Sequence, residues 1–357
     1  MIQQHKFLLT YIENHTDLNL NNKTYVIPEL FDLQTALNAT SKYIEDHQTS
    51  IIKKNWANTN LFHSEMPIIK YIGNIKNLTY NWIEGYEILK TLNLIPKESS
   101  EFIHLDQTQN LNTFIYAVHH FITTNRNWSE KYDYIHTDSS INESYDKTFY
   151  QKLYTKFEHT IDLYTGAIQT FNPISKQVII NDIINHIITA LLTLKPHGSF
   201  ILKSTILLDP FIISLIYAIS GFFNNFYIIK PASSSTTNLD IYYVGKMYHT
   251  TATLTHPYII VLLEYLLGDK PISIPLFNLY QYPPEYQTDI IKAFKILINQ
   301  YTKHIHHQIS HLIKYEKVPK LIPMDIYAIN EWYMKMRILP LLPNKQLQLN
   351  TNTDILK

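Results

Sequence analysis

From about residue 76 onward, short apolar runs alternate with longer segments whose apolar positions recur every three or four residues. Segment 79–92 places Tyr80, Ile83, Ile88 and Leu92 at helical spacing behind Thr79, a residue type suited to capping a helix N-terminus. Residues 102–105 read as a short buried strand, 113–123 as a helix and Tyr132–His136 as a second strand. The clearest stretch follows. A strand over 160–165 leads to a helix over 174–194, whose apolar face carries Val178, Ile183, Ile187, Ala190, Leu191 and Leu194. After a turn at His197-Gly198 come a strand over 199–202, a helix over 210–223, and strands over 226–229 and 241–244. Strands alternating with helices of this length predict an α/β domain built on a parallel sheet with right-handed crossovers. Beyond 254 the pattern is helical, over 257–267, 285–315 and 325–338. The first 75 residues predict a few helices, such as 32–49, and no chemistry. The organisation expected is an N-terminal helical segment (1–75), a sheet domain (76–250) and a C-terminal helical extension (251–357).

Composition narrows the function classes. Lys+Arg and Asp+Glu are both 30, so no global positive field draws the chain onto nucleic acid. Arg126 and Arg337 are the only arginines, which makes bidentate phosphate recognition scarce. The absence of cysteine excludes disulfides, thiolate metal sites and cysteine nucleophiles. The N-terminal residues lack the apolar core of a signal peptide, and the longest uncharged apolar run, 13 residues over 211–223, is too short to span a bilayer. These features predict a soluble, cytoplasmic protein with no membrane partner. His304, His307 and His311 share one face of the 285–315 helix but have no acid on the same turns, so no metal site is expected.

Four motifs then appear in order. NWIEGYEIL (81–89) is similar to an "AWxKxxEIL" helix, and FIHLDQTQNLNTFIYAVHHFI (102–122) is similar to an "HLCEAPGxFIxALNHYL" cofactor loop. HGSFILK (197–203) and FYIIKPASSSTTNLDIYYVGK (226–246) resemble a strand ending in lysine, then a "KP-x-S-S/K … N-S-E-x-Y-x-V" hairpin. Together they resemble the FtsJ-like cap ribose 2′-O-methyltransferases, in the branch of the animal second-nucleotide enzymes and their large-DNA-virus relatives. The resemblance covers residues 78–248, and it implies a Rossmann-like methyltransferase sheet, S-adenosylmethionine as cofactor and capped RNA as partner.

That family works with a Lys-Asp-Lys-Glu tetrad, in which the second lysine deprotonates or orients the ribose 2′-hydroxyl for attack on the cofactor methyl. Carried across by motif, the first lysine falls on Glu84, the aspartate on Ala167, the second lysine on Lys203 and the glutamate on Asp240. Asp162 is no substitute for the missing aspartate, because five residues along a strand turn its side chain to the opposite face. The cofactor loop has no glycine and is longer than the family's; Asp106, Gln107, Asn110 and Asn112 are its candidate cofactor contacts, and Asp138 is a candidate for the cofactor ribose. Lys230-Pro231 reads as fixing the turn after a strand rather than as reading RNA. Only the base of the tetrad is present. The expectation is a catalytically inactive homologue, acting as a viral scaffold or as the partner of a capping enzyme. The alternatives are an active S-adenosylmethionine-dependent RNA 2′-O-methyltransferase and a purely structural viral protein.

Overall fold

In the computed structural model, residues 4–11, 27–47, 62, 65–108, 113–126, 128, 131–137, 146–168, 176–249, 252–268, 276–277, 282–315 and 323–347 are described. Four strands, β2 (Phe102–Gln107), β3 (Tyr132–His136), β4 (Ile161–Ala167) and β5 (Leu194–Thr205), run parallel in the spatial order β3-β2-β4-β5. β6 (Phe223–Lys230) skips one place in the sheet, and β7 (Asp240–Tyr248) returns antiparallel to fill it, pairing with both β5 and β6. The sheet is therefore mixed rather than wholly parallel. The short link from Lys230 to Asp240 is a hairpin connection, and a hairpin cannot join parallel neighbours.

β1 (His5–Leu9) pairs antiparallel with β6, with His5 opposite Lys230 and Leu9 opposite Phe226. The N-terminal segment thus supplies a strand that its sequence did not suggest, and it covers an edge otherwise open to pairing. His197-Gly198 is not a turn ahead of the strand but lies within β5. The register against β4 shifts there, His197 takes a left-handed φ of 66°, and a side chain at Gly198 would meet the Lys195 carbonyl at 2.8 Å.

Helices cover both faces, so the strands read as continuous apolar runs. Strand alternation sends neighbouring residues to opposite cores. Tyr164, Phe200, Leu202, Ile241 and Tyr243 join one core with α1 (Pro28–Asp46), α5 (Lys147–Phe157), α6 (Lys176–Thr193), α7 (Pro210–Ser220), α8 (Pro257–Leu266) and α9 (Pro284–Tyr315). Leu163, Ile201, Tyr242 and Val244 join the other, with α2 (Met66–Gly73), α3 (Tyr80–Leu92), α4 (Thr113–Asn125) and α10 (Pro323–Met336). Each core draws on the sheet and on segments before and after it. The C-terminal helices divide between the two faces, α8 and α9 on one and α10 on the other.

α3 positions the site and begins where its cap predicts. The Thr79 side chain accepts a hydrogen bond from the Trp82 N–H at 3.2 Å, and Asn93 closes the helix with a left-handed φ of 50°. Replacing Thr79 with Ala is expected to lower the unfolding free energy by about 1 kcal/mol, read from urea denaturation. No change in the urea midpoint would show that α3 does not depend on its cap.

Candidate active site

α3 carries two glutamates one turn apart, Glu84 and Glu87, both buried although a helix normally turns such residues to water. Each is held by donors from other elements. Glu87 accepts from the Ala232 N–H at 2.7 Å, the Ser233 N–H at 3.1 Å, the Ser233 hydroxyl at 2.8 Å and the Trp332 indole N–H at 2.8 Å. It thereby ties α3 to the β6–β7 link and to α10. Burial pushes its carboxyl above the usual range, and the four donors only partly offset that.

Glu84 faces β5 and β7. Its Oε2 accepts from Lys203 Nζ at 2.9 Å and from the Tyr242 hydroxyl at 2.5 Å. Burial acts to raise the Glu84 carboxyl, but the Lys203 charge, the hydrogen bonds from Tyr242 and Lys203, and Lys230 outweigh it and hold it below its ordinary value. Lys203 also donates to Asn81 Oδ1 at 2.8 Å and lies 3.3 Å from Asp240 Oδ2. Burial acts to lower the Lys203 ammonium, yet Glu84 and Asp240 together raise it above its ordinary value. Three of the four tetrad positions thus meet at one point, and the fourth, Ala167, sits directly across from Lys203 in the β4–β5 register.

Lys230 closes the hairpin from behind, donating to the Asn238 carbonyl at 3.1 Å, Asn238 Oδ1 at 2.9 Å and the Asp240 carbonyl at 3.0 Å. Burial drives its pKa down to about 8 despite the opposing pull of Asp240 and Glu84. The turn-fixing reading of this residue describes what it does here. Asp162 lies elsewhere, at the start of β4, where it accepts from the Ile103 N–H at 2.9 Å and pairs with Lys195.

Alternation splits the two described cofactor candidates between faces. Asp106 is fully buried and accepts from Thr108 Oγ1 at 2.8 Å and Thr165 Oγ1 at 2.5 Å, with His136 Nδ1 at 3.3 Å. Because the Thr165 hydroxyl gives its proton to Asp106, His104 Nε2 must be the donor in its 2.8 Å contact with Thr165. His104 Nδ1 is then left to accept from the Tyr132 hydroxyl at 3.0 Å. Burial pushes the His104 pKa down to about 4, in keeping with this neutral tautomer. Gln107 turns the other way, and its Oε1 accepts from the Tyr164 hydroxyl at 2.6 Å, which also meets His186 Nδ1 at 2.6 Å. The Asp106 carboxylate and the Gln107 Oε1 thus both have partners within the protein. Asn110, Asn112 and Asp138 lie outside the described residues. Asn81 and Tyr242 escaped the sequence reading, although each sits at a legible spacing, three before Glu84 on a helix and two after Asp240 on a strand. Among the described residues, no helix is long and apolar enough to cross a membrane and no group of three His, Asp or Glu side chains is placed to hold a metal.

The sheet order, the two helical layers and the charged cluster on β5 and β7 define a Rossmann-like methyltransferase fold. The chain is homologous to the cap-specific 2′-O-methyltransferases of animals and to a methyltransferase of a large DNA virus. It is 23% identical over 260 residues to mouse cap-specific mRNA (nucleoside-2′-O-)-methyltransferase 2, covering 61% of this chain and 34% of the mouse protein. It is 27% identical over 219 residues to the probable methyltransferase EP424R of African swine fever virus, 50% of this chain and 51% of the viral one. The Drosophila melanogaster cap-specific enzyme matches at 25% over 179 residues, 43% of this chain and 25% of the fly protein. The chain thus spans between a quarter and a half of the length of these curated relatives. No family model matches it.

Two outcomes follow from the cluster. Replacing Glu84 with Gln leaves Lys203 without its closest charge and should cost about 3 kcal/mol of stability at pH 7. Since the Glu84 carboxyl is lowered in the folded state, its contribution is present above the unfolded value and fades as pH falls through it. The wild-type protein should therefore lose stability below about pH 4.5 more steeply than Glu84→Gln, a difference that urea midpoints across pH detect. His104 acts at higher pH. With its folded pKa near 4 against 6.5 unfolded, its contribution is complete above pH 6.5 and is lost as pH falls towards 4. That shift is worth about 3 kcal/mol, and the decline between pH 6.5 and 4 should be markedly smaller in His104→Asn.

Proposed function

We propose that this chain is a homologue of the cap 2′-O-methyltransferases that keeps the sheet and the charged cluster without a working base. In this reading it serves a large DNA virus as a non-catalytic scaffold for RNA or as the partner of an active capping enzyme. The observation that carries the reading is the Lys203 ammonium. It donates to Asn81 and Glu84, and the Asp240 carboxylate lies 3.3 Å away. A general base needs a free lone pair near the operating pH, and the Glu84 carboxylate beside this lysine works against that. Where the family motif has a lysine to lower this nitrogen's basicity, Glu84 raises it. Ala167 offers no carboxylate to orient a substrate hydroxyl. Asp106 and Gln107 are already bonded within the protein, which speaks against S-adenosylmethionine at those two side chains.

One observation favours a second reading, an active S-adenosylmethionine-dependent RNA 2′-O-methyltransferase. Lys230 brings a second lysine to the cluster with its pKa near 8, close to the range in which an amine acts as a base. Its three N–H bonds are occupied, by Asn238 and Asp240, which places this reading second.

Calorimetry with S-adenosylmethionine and a methyl-transfer assay on capped RNA separate the two. The expected results are no saturable heat and no transferred methyl. Transfer that disappears in Lys203→Ala would overturn the non-catalytic reading, and saturable micromolar binding without transfer would restrict it to a cofactor-bound scaffold.

A further inference from the structure

Away from the Lys203 cluster, a recess of about 70 Å³ lies between the start of α3, the first turns of α4 and the segment after α10. A single water needs roughly 10–15 Å³ on the same measure, so the space is several waters large. Trp82, Tyr116, His119 and Gln346 border it, and Lys76 stands at its exposed side. Trp82 is fully buried, yet its indole N–H has no partner. The other described indoles are satisfied, Trp128 by the Lys97 carbonyl at 3.0 Å and Trp332 by Glu87 at 2.8 Å. Gln346 donates to the Asn74 carbonyl at 3.2 Å, while its Oε1 is buried without a partner. One recess is thus bordered by an orphan donor and an orphan acceptor, and buried polar groups in native proteins are rarely left so. Lys345 is next to Gln346 in the chain, and its charge adds to burial in pushing the His119 pKa down to about 4.

We infer that this recess binds a nucleotide. A planar base presents both an N–H and a ring or carbonyl acceptor, matching the Gln346 Oε1 and Trp82 Nε1 orphans, and its faces suit an aromatic lining. Its phosphate would lie towards Lys76 and Lys345, which act as point charges. Part of the lining, Leu341, Gln346 and Leu347, lies beyond the motif-bearing segment 78–248, so the recess is completed by residues outside it. The inference stands whether or not Lys203 is catalytic.

Titration calorimetry with GMP, UMP and a five-nucleotide RNA tests it. The expected result is saturable binding that weakens about tenfold in Gln346→Leu and in Trp82→Phe, one lost hydrogen bond each. Binding should also weaken with salt and persist in saturating S-adenosylhomocysteine. Gln346 lies on the partly exposed C-terminal segment, so its variant reports on the site even if Trp82→Phe fails to fold. Binding of the monophosphates identifies a free-nucleotide site, and binding of the RNA alone identifies a site for a strand. No saturable binding of any of the three would overturn the inference. So would binding that Gln346→Leu leaves unchanged, or that S-adenosylhomocysteine displaces.

Discussion

The pair of buried carboxylates on α3 is the constraint around which the candidate site is organised. Neither Glu84 nor Glu87 can be left uncompensated in a helix packed flat against a sheet, since an unpaired charge there costs several kcal/mol. Each therefore dictates what must come to meet it. Glu84 requires a cation and finds it at the end of β5; Glu87 requires neutral donors and finds them in the Ala232–Ser233 backbone and the Trp332 indole. The register of β5 and β7 is thereby linked to α3 through one carboxylate, and the hairpin link and α10 through the other. Local stability and site geometry are the same interaction seen twice.

The same logic governs the inner face of the sheet. Asp106, Thr165, His104 and Tyr132 form a chain of hydrogen bonds in which one hydroxyl proton determines the tautomer of the histidine. On the opposite face Gln107, Tyr164 and His186 form a second chain. In both, polar side chains near the C-terminal ends of the central strands turn inward to one another. A strand end that binds a ligand would hold such groups ready for a partner outside the protein. Here Asp106 and the Gln107 Oε1 are bonded to neighbouring side chains.

Much of this was legible in the sequence where one physical rule dominated. Thr79 caps α3 because a Thr ahead of an apolar helical pattern has few better uses, and Asp162 faces away from the site because alternation along a strand leaves no choice. Rules failed where they competed. HKFLL at the N-terminus is too short to distinguish strand from helix by periodicity, and it becomes a strand only because β6 offers a free edge. His197-Gly198 looks like a turn, but a bulge within a strand uses the same residue chemistry. The grouping of Glu84, Lys203 and Asp240 was accessible only through motif resemblance, since 119 residues separate the first two. The contributions of Asn81 and Tyr242 depend on side-chain direction in the folded chain, which spacing suggests but does not assign.

Charge balance explains how such a cluster can stay buried. Burying ions is tolerable when the set is neutral and each member is bonded. Lys203, Lys230, Glu84 and Asp240 are two lysines and two acids. The set is neutral, as burial favours. Exchanging a lysine for a glutamate at position 84 reverses the field on Lys203 from one that weakens its hold on a proton to one that strengthens it. The fold accommodates a glutamate there because Lys203 and Lys230 both act on it.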